Sequence, residues 1–188
     1  HVLAAEDVHW LLSLTAERTL RSAARRRAEL DLDERTVERT REVAEGALAG
    51  RRALGRKELL ARFESAGIST SGQRGYHLLW HLSISGTTVL GPFDGAEQQF
   101  VLLDDWVARR RGLDGDAALA EVVRRYLRGR SPATTADLAW WTKLPVTAIR
   151  RGLAACGAEL EEVEYDGAAH WQLMPPPEGA DSARIQTA

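Results

Sequence analysis

Residues 133–153, ATTADLAWWTKLPVTAIRRGL, decide how this chain is read. Thr134 and Asp137 have capping-box spacing ahead of Leu138 and Trp141, so a short helix starts there. A tight turn follows, and Pro145 suits the first turn of a second helix. Val146, Ile149 and Leu153 make that helix's buried stripe, and Gly157 ends it. Residues 160–164 and 169–173 flank Asp166-Gly167, the signal of a β-hairpin. Helix, turn, helix and hairpin in this order is the layout of a winged helix, a helix-turn-helix with a hairpin attached.

A second copy lies upstream. Asp33 caps a helix over 34–49 with Val37, Ala44, Ala47 and Leu48 facing inward. Residues 56–66 form a helix through Leu59, Leu60 and Phe63, stopped by Gly67. Ser69-Thr70-Ser71 cap the next helix, 72–85, and Gly86 stops it. Strand-like runs at 87–90 and 98–103 enclose Asp94-Gly95. In the downstream copy the leading helix is 116–127, and residues 103–114 join the copies. Residues 7–14 and 18–30 are also helical. Recurrence of one grammar is more persuasive than either copy alone.

The expected fold is therefore mainly α with short β-hairpins, an α+β chain of tandem winged helix-turn-helix units. Residues 1–30 read as the end of a preceding unit with connecting helices. Residues 31–106 and 107–174 are the two complete units, and 175–188 a linker or disordered tail. His1-Val2-Leu3 reads as a strand end without its partner, so an internal piece of a longer protein is expected.

Composition sets bounds. Hydrophobic residues make up 44% and charged residues 28% of 188, a globular balance. No segment has the roughly 20 apolar residues that span a bilayer. One cysteine, Cys156, excludes an internal disulfide and suits a reducing cytoplasm. Its spacing from Ile149 and Leu153 predicts a buried thiol. The net charge of −2 counts against clamping DNA by bulk positive charge, but local basic faces remain open.

Two helix faces are candidates for nucleic-acid contact. In the downstream copy Thr147, Arg150 and Arg151 point away from the stripe, with Lys143 in the turn before them. Arginine forks suit guanine edges and phosphates. In the upstream copy Gly75, Leu78, Leu79 and Leu82 face inward, leaving Gln73, Arg74, His77 and His81 outside. The alternative for both is an ordinary solvated face. His77 and His81 have the i, i+4 spacing of metal ligands. The glutamate of a zinc-protease motif and a cysteine pair are both missing, so no metal and no cofactor are expected. Trp140 and Trp141 point about 100° apart on a helix, so Trp141 is assigned to the core with Leu138. No nucleophile elbow, phosphate loop or dinucleotide-binding glycine pattern occurs. Glu159, Glu161, Glu162 and Glu164 make the second wing acidic, and acidic wings repel phosphate.

The segments SGQRGYHLLWHL from Ser71, QFVLLDDW from Gln99 and ATTADLAWW from Ala133 resemble a bacterial family of winged helix DNA-binding domain-containing proteins. The resemblance runs over nearly the whole chain, and ADLAWW is its most specific part. That family includes DNA glycosylases that unhook interstrand crosslinks. The resemblance implies three tandem winged helices followed by a β-rich domain. It also implies a catalytic Gln-x-Gln or Gln-x-Asp motif, which Gln98-Gln99 is not, so no catalytic residue is carried over.

The leading reading is a tandem winged-helix module that binds double-stranded DNA, the DNA cradle of a larger cytoplasmic protein with no membrane part. The alternative is part of a DNA-repair glycosylase excising alkylated or crosslinked bases. A third reading is a scaffold that binds a protein partner through the acidic second wing.

Overall fold

A computed structural model describes residues 3–175. The expected strand end at His1-Val2 and the tail beyond Pro175 lie outside them. Two compact units divide the chain, the first ending at Gly112 and the second beginning at Leu113. The chain is mainly helical with two antiparallel strand pairs, the expected α+β class. No helix among the described residues is long and apolar enough to cross a membrane.

In the first unit a short 3-10 turn, Ala5–Asp7, leads into α1, Val8–Ser22, and α2, Ala24–Glu29. The helical run continues through residues 15–17, as expected, and is interrupted only at Ala23. The Thr15 and Thr19 hydroxyls donate to carbonyls four residues back, at 2.8 Å each, and nothing there interrupts the helix. Asp7 is buried and accepts a 2.9 Å hydrogen bond from Trp10 Nε1. Arg111 Nε lies 3.3 Å from the same carboxylate, which ties the end of the unit to its beginning. Next come α3, Glu34–Leu48, α4, Arg56–Ser65, and α5, Arg74–Ile84. Asp33 caps α3 through the Thr36 amide at 2.8 Å. Leu48, Leu59, Phe63, Leu78 and Leu82 close the core between these three helices.

Strands β1, Thr88–Asp94, and β2, Glu97–Leu102, pair antiparallel, and the one-turn α6, Leu103–Trp106, follows. The first strand is longer than expected. It continues past Leu90 through a bulge before Phe93, where Gly91 lies so close to Val101 that a Cβ would stand 2.7 Å from its Cγ1.

The second unit contains α7, Gly115–Gly129, α8, Thr135–Thr142, and α9, Val146–Cys156. A 3-10 turn and the hairpin of β3, Leu160–Tyr165, and β4, Ala168–Leu173, follow. Pro145 occupies the N-cap, one residue before its expected place, and the helix begins at Val146. Val146 is 41% exposed, contrary to expectation, because the buried stripe begins one turn later at Ile149. Helices α7 and α9 press together across Gly152, burying Leu119, Val123, Ile149 and Leu153. Cys156 is buried, as its spacing predicts. Its thiol donates to the Ala120 carbonyl, and burial raises its pKa.

The two units share a feature that no periodicity could signal. Leu54, in the loop before α4, exchanges backbone hydrogen bonds with Phe100 of β2, at 3.1 and 2.8 Å. Ala133, in the loop before α8, does the same with Trp171 of β4, at 3.0 and 2.8 Å. Each hairpin thus gains a one-residue third strand that precedes the two helices it stands beside.

The capping box of α8 forms as read. Asp137 N donates to Thr134 Oγ1 at 3.1 Å, and the Asp137 carboxylate accepts from the Thr134 amide at 2.9 Å. Bonds from the Thr134 hydroxyl and then its amide hold the Asp137 carboxyl below its ordinary range. Thr134→Ala is expected to cost about 1 kcal/mol, read as a lower unfolding midpoint at neutral pH. The folded pKa is depressed, so this contribution is present above the ordinary carboxylate range. It is lost as pH falls through the folded value, and the gap from the unsubstituted chain should narrow below about pH 4.

Candidate nucleic-acid interface

Helix α5 is seated by Gly75. A Cβ there would meet Leu60 Cδ2 at 2.8 Å and Thr70 Cβ at 3.0 Å, so the helix approaches α4 closely. That contact buries Gly75, Leu78, Leu79 and Leu82, as expected. The opposite face is less open than the spacing suggests. Gln73 Oε1 accepts a 2.6 Å bond from Arg26 of α2. Arg27 Nη1 lies 3.1 Å from His81 Nδ1. Burial and the Arg27 charge lower the His81 pKa, so this imidazole meets neutral pH uncharged. His77 packs edge-on against Tyr76, and its Nδ1 is buried without a hydrogen-bond partner.

Arg74 faces inward to backbone. Its guanidinium donates to the carbonyls of Leu30, Asp31 and Ser69, the last two at 3.1 and 3.0 Å. Its fork is committed to the turn before α3 and the loop before α5. Arg26 and Arg27, which sequence reading had not singled out, are the cations set against this face. The arginine-rich run of α2 was visible, but its partner helix was not. No group of three or more metal-ligating side chains occurs among the described residues.

The second unit presents its cations differently. Thr147, Arg150 and Arg151 are exposed on α9, and Arg151 pairs with Asp116 at 2.6 Å. Arg124 makes a bidentate pair with Glu159, 2.7 Å for both bonds, which lowers the Glu159 pKa. The Glu159 charge is therefore balanced by Arg124, while Glu161, Glu162 and Glu164 lie exposed along β3 without an ion pair. Residues 124–156 carry seven arginines and lysines against a single carboxylate, Asp137. Among the described residues Arg128, Arg130, Lys143 and Arg150 form no ion pair.

Of the paired tryptophans of α8, Trp141 departs from expectation. Trp141 is 38% exposed instead of sealed in the core. Its ring tilts against Tyr126 at 5.4 Å between centroids, and Arg130 covers both rings at 5.3 and 5.7 Å. Trp140 is 73% exposed. Lys143 adopts the left-handed backbone at the end of α8, with φ of 59°, and its ammonium lies 4.5 Å over the Trp140 ring.

The carboxyls of Glu29, Asp33, Glu64, Asp104, Asp137 and Glu159 are all held below their ordinary values. Side-chain hydrogen bonds are the leading cause in each. Arg26 acts on Glu29, Thr36 on Asp33, Thr70 on Glu64, His9 on Asp104, Thr134 on Asp137 and Arg124 on Glu159. Carboxylates kept ionised in this way suit structure and capping, not protonation of a leaving group at neutral pH.

Comparison with known proteins bears on this arrangement. The family model "DNA glycosylase AlkZ-like" matches residues 1–186. Among solved structures, the chain is similar to Streptomyces sahachiroi DNA glycosylase AlkZ, with a TM-score of 0.66 and 26% identity. The match covers 86% of this chain and 46% of that one, so the chain spans about half the length of its solved relative. No curated protein sequence matches.

Proposed function

Because the chain belongs to the AlkZ-like DNA glycosylase family, we propose that it is the DNA-engaging part of an enzyme that hydrolyses the N-glycosidic bond of alkylated or crosslinked bases. In this reading residues 31–106 and 107–174 are winged helices. Helices α5 and α9 are their recognition helices, the hairpins are their wings, and Leu54 and Ala133 supply the short strand of each. Double-stranded DNA is the partner, and the enzyme works in the cytoplasm.

The observation that carries this reading is the set of exposed cations in residues 124–156 that form no ion pair. Arg128, Arg130, Lys143 and Arg150 hold guanidinium and ammonium groups in water without an ion pair, and Arg128 lies close enough to a carboxylate, Glu159, to act on it. A polyanion neutralises such a set and releases its condensed counterions. The ionised carboxylates described above serve caps and ion pairs, which supports a binding role for this part. Binding surface and base-excision chemistry are separable in enzymes that extrude a base.

Titration of the full chain with a duplex at several salt concentrations tests the proposal. Engagement of about four phosphates lowers affinity roughly a hundredfold between 50 and 200 mM salt. Affinity that ignores salt would count decisively against it. Release of an alkylated base from duplex DNA by the enzyme that contains this chain tests the glycosylase part. The exposed Glu161, Glu162 and Glu164 favour a second reading, a protein partner for that hairpin. Unchanged DNA affinity after joint replacement of Arg130, Lys143 and Arg150 by alanine would favour it.

A further inference from the structure

We propose that the end of α8 is a stacking platform for an unpaired nucleobase, with Trp140 as its floor and Lys143 and Arg130 as flanking phosphate contacts. The proposal rests on the DNA-engaging reading and specifies what this surface takes. Three observations carry it.

Trp140 is the most exposed large apolar side chain among the described residues. The Lys143 ammonium covers part of its ring, and most of the ring stays in water. An indole left this open contributes nothing to the core of its own unit. Its immediate surroundings are cationic. Lys143 lies on Trp140, Arg130 lies on Trp141, and neither cation has an acidic partner. Asp137, the one carboxylate in residues 124–156, is committed to the α8 cap at the other end of the helix. An acidic polymer with flat π-faces complements this combination. The third observation is the backbone at Lys143. A left-handed helix end costs nothing with glycine, yet this chain places a lysine there and directs it over the indole.

The choice of an unpaired base follows from geometry. Inside a duplex both faces of a base are covered by its neighbours. A tryptophan can stack only where a base has left the helix, at a bulge, a gap or an end. A lesion-bearing duplex offers such a base when it is distorted or when a nucleotide is extruded. The acidic hairpin of the same unit turns phosphate away from its own face and leaves the α8 end as the attractive one.

Fluorescence anisotropy with the full chain and three probes tests the inference: a paired duplex, the same duplex with one bulged nucleotide, and a single strand. Trp140→Ala is expected to weaken binding to the bulged and single-stranded probes by roughly five- to a hundredfold, the effect of one lost base–aromatic stack. It should leave affinity for the paired duplex within about twofold, and Trp140→Phe should restore most of the loss. Lys143→Gly should weaken all three probes, and it keeps the fold because glycine accepts the left-handed backbone. Unchanged unfolding midpoints confirm that neither variant acts through stability. If Trp140→Ala leaves the bulged and single-stranded probes unchanged, or weakens all three equally, the platform is overturned while salt-dependent duplex binding still stands. If the unsubstituted chain binds none of the probes, the DNA-engaging reading falls and the platform with it.

Discussion

Gly152→Val is expected to unfold the second unit, and Gly152→Ala to weaken it measurably. Gly152 lies in the middle of α9, where that helix crosses α7. A Cβ at this position would stand 2.8 Å from the Leu119 carbonyl oxygen, 3.0 Å from its carbon and 3.0 Å from Val123 Cγ2. Two of these three atoms are helix backbone, so no rotamer change clears the clash. The helices must separate, and Leu119, Ile149 and Leu153 then lose contact together. Overpacking of this kind costs about 1–3 kcal/mol for small additions. Alanine recovers about 1 kcal/mol of helix propensity, so its net loss should be up to about 2 kcal/mol, near the top of that range because the clash is with backbone. Valine adds two further methyl groups and a stiff χ1 torsion, so its loss should exceed about 3 kcal/mol, a large share of a small unit's stability. Urea titration followed by far-ultraviolet circular dichroism reads both values. An alanine variant as stable as the unsubstituted chain would mean that α7 and α9 are not so close.

The second large effect is at Arg74. The residue types around it suggest a phosphate contact, but its guanidinium holds three backbone carbonyls. Hydrogen bonds from a charged donor contribute about 1.5–3 kcal/mol each, and water can replace those to the exposed Asp31 and Ser69 carbonyls. The part-buried Leu30 carbonyl has no such substitute. Arg74→Ala should therefore lose about 2–3 kcal/mol of stability. Arg74→Lys should recover only part of it, because an ammonium lacks the planar fork. DNA affinity measured well below the midpoint should change little. A tenfold loss of affinity with stability intact would return Arg74 to the interface.

Much of the fold was readable because local signals and packing agree. The α5 stripe of Gly75, Leu78, Leu79 and Leu82, the Thr134–Asp137 box and the two Asp-Gly hairpins all depend on neighbours within a few residues. What was not readable depends on distant partners. Trp141 has core spacing, yet it packs at the surface against Tyr126 of α7 and Arg130 just after that helix. Val146 shares the period of Ile149 but is the first residue of the helix and stays 41% exposed. Arg74 and Gln73 have outward spacing, but the α2–α3 region occupies them. The exposed cations of the second unit show the same limit from the other side. Arg151 and Arg150 are neighbours of one type on one helix, and only the position of Asp116 separates a paired guanidinium from an unpaired one.

The two one-residue bridges have a dynamic consequence. Leu54 and Ala133 each commit both backbone groups to a hairpin that comes some 40 residues later in the chain. Each bridge closes a hydrogen-bonded loop of chain around its helix pair, so peeling off the strands costs these two bonds as well. Fluctuations that open one part of the loop open the rest, which makes each set of helices and strands a single cooperative foldon. A hairpin tip held in this way has its direction set by the helices, and it reaches a ligand by movement of the whole unit instead of by bending alone.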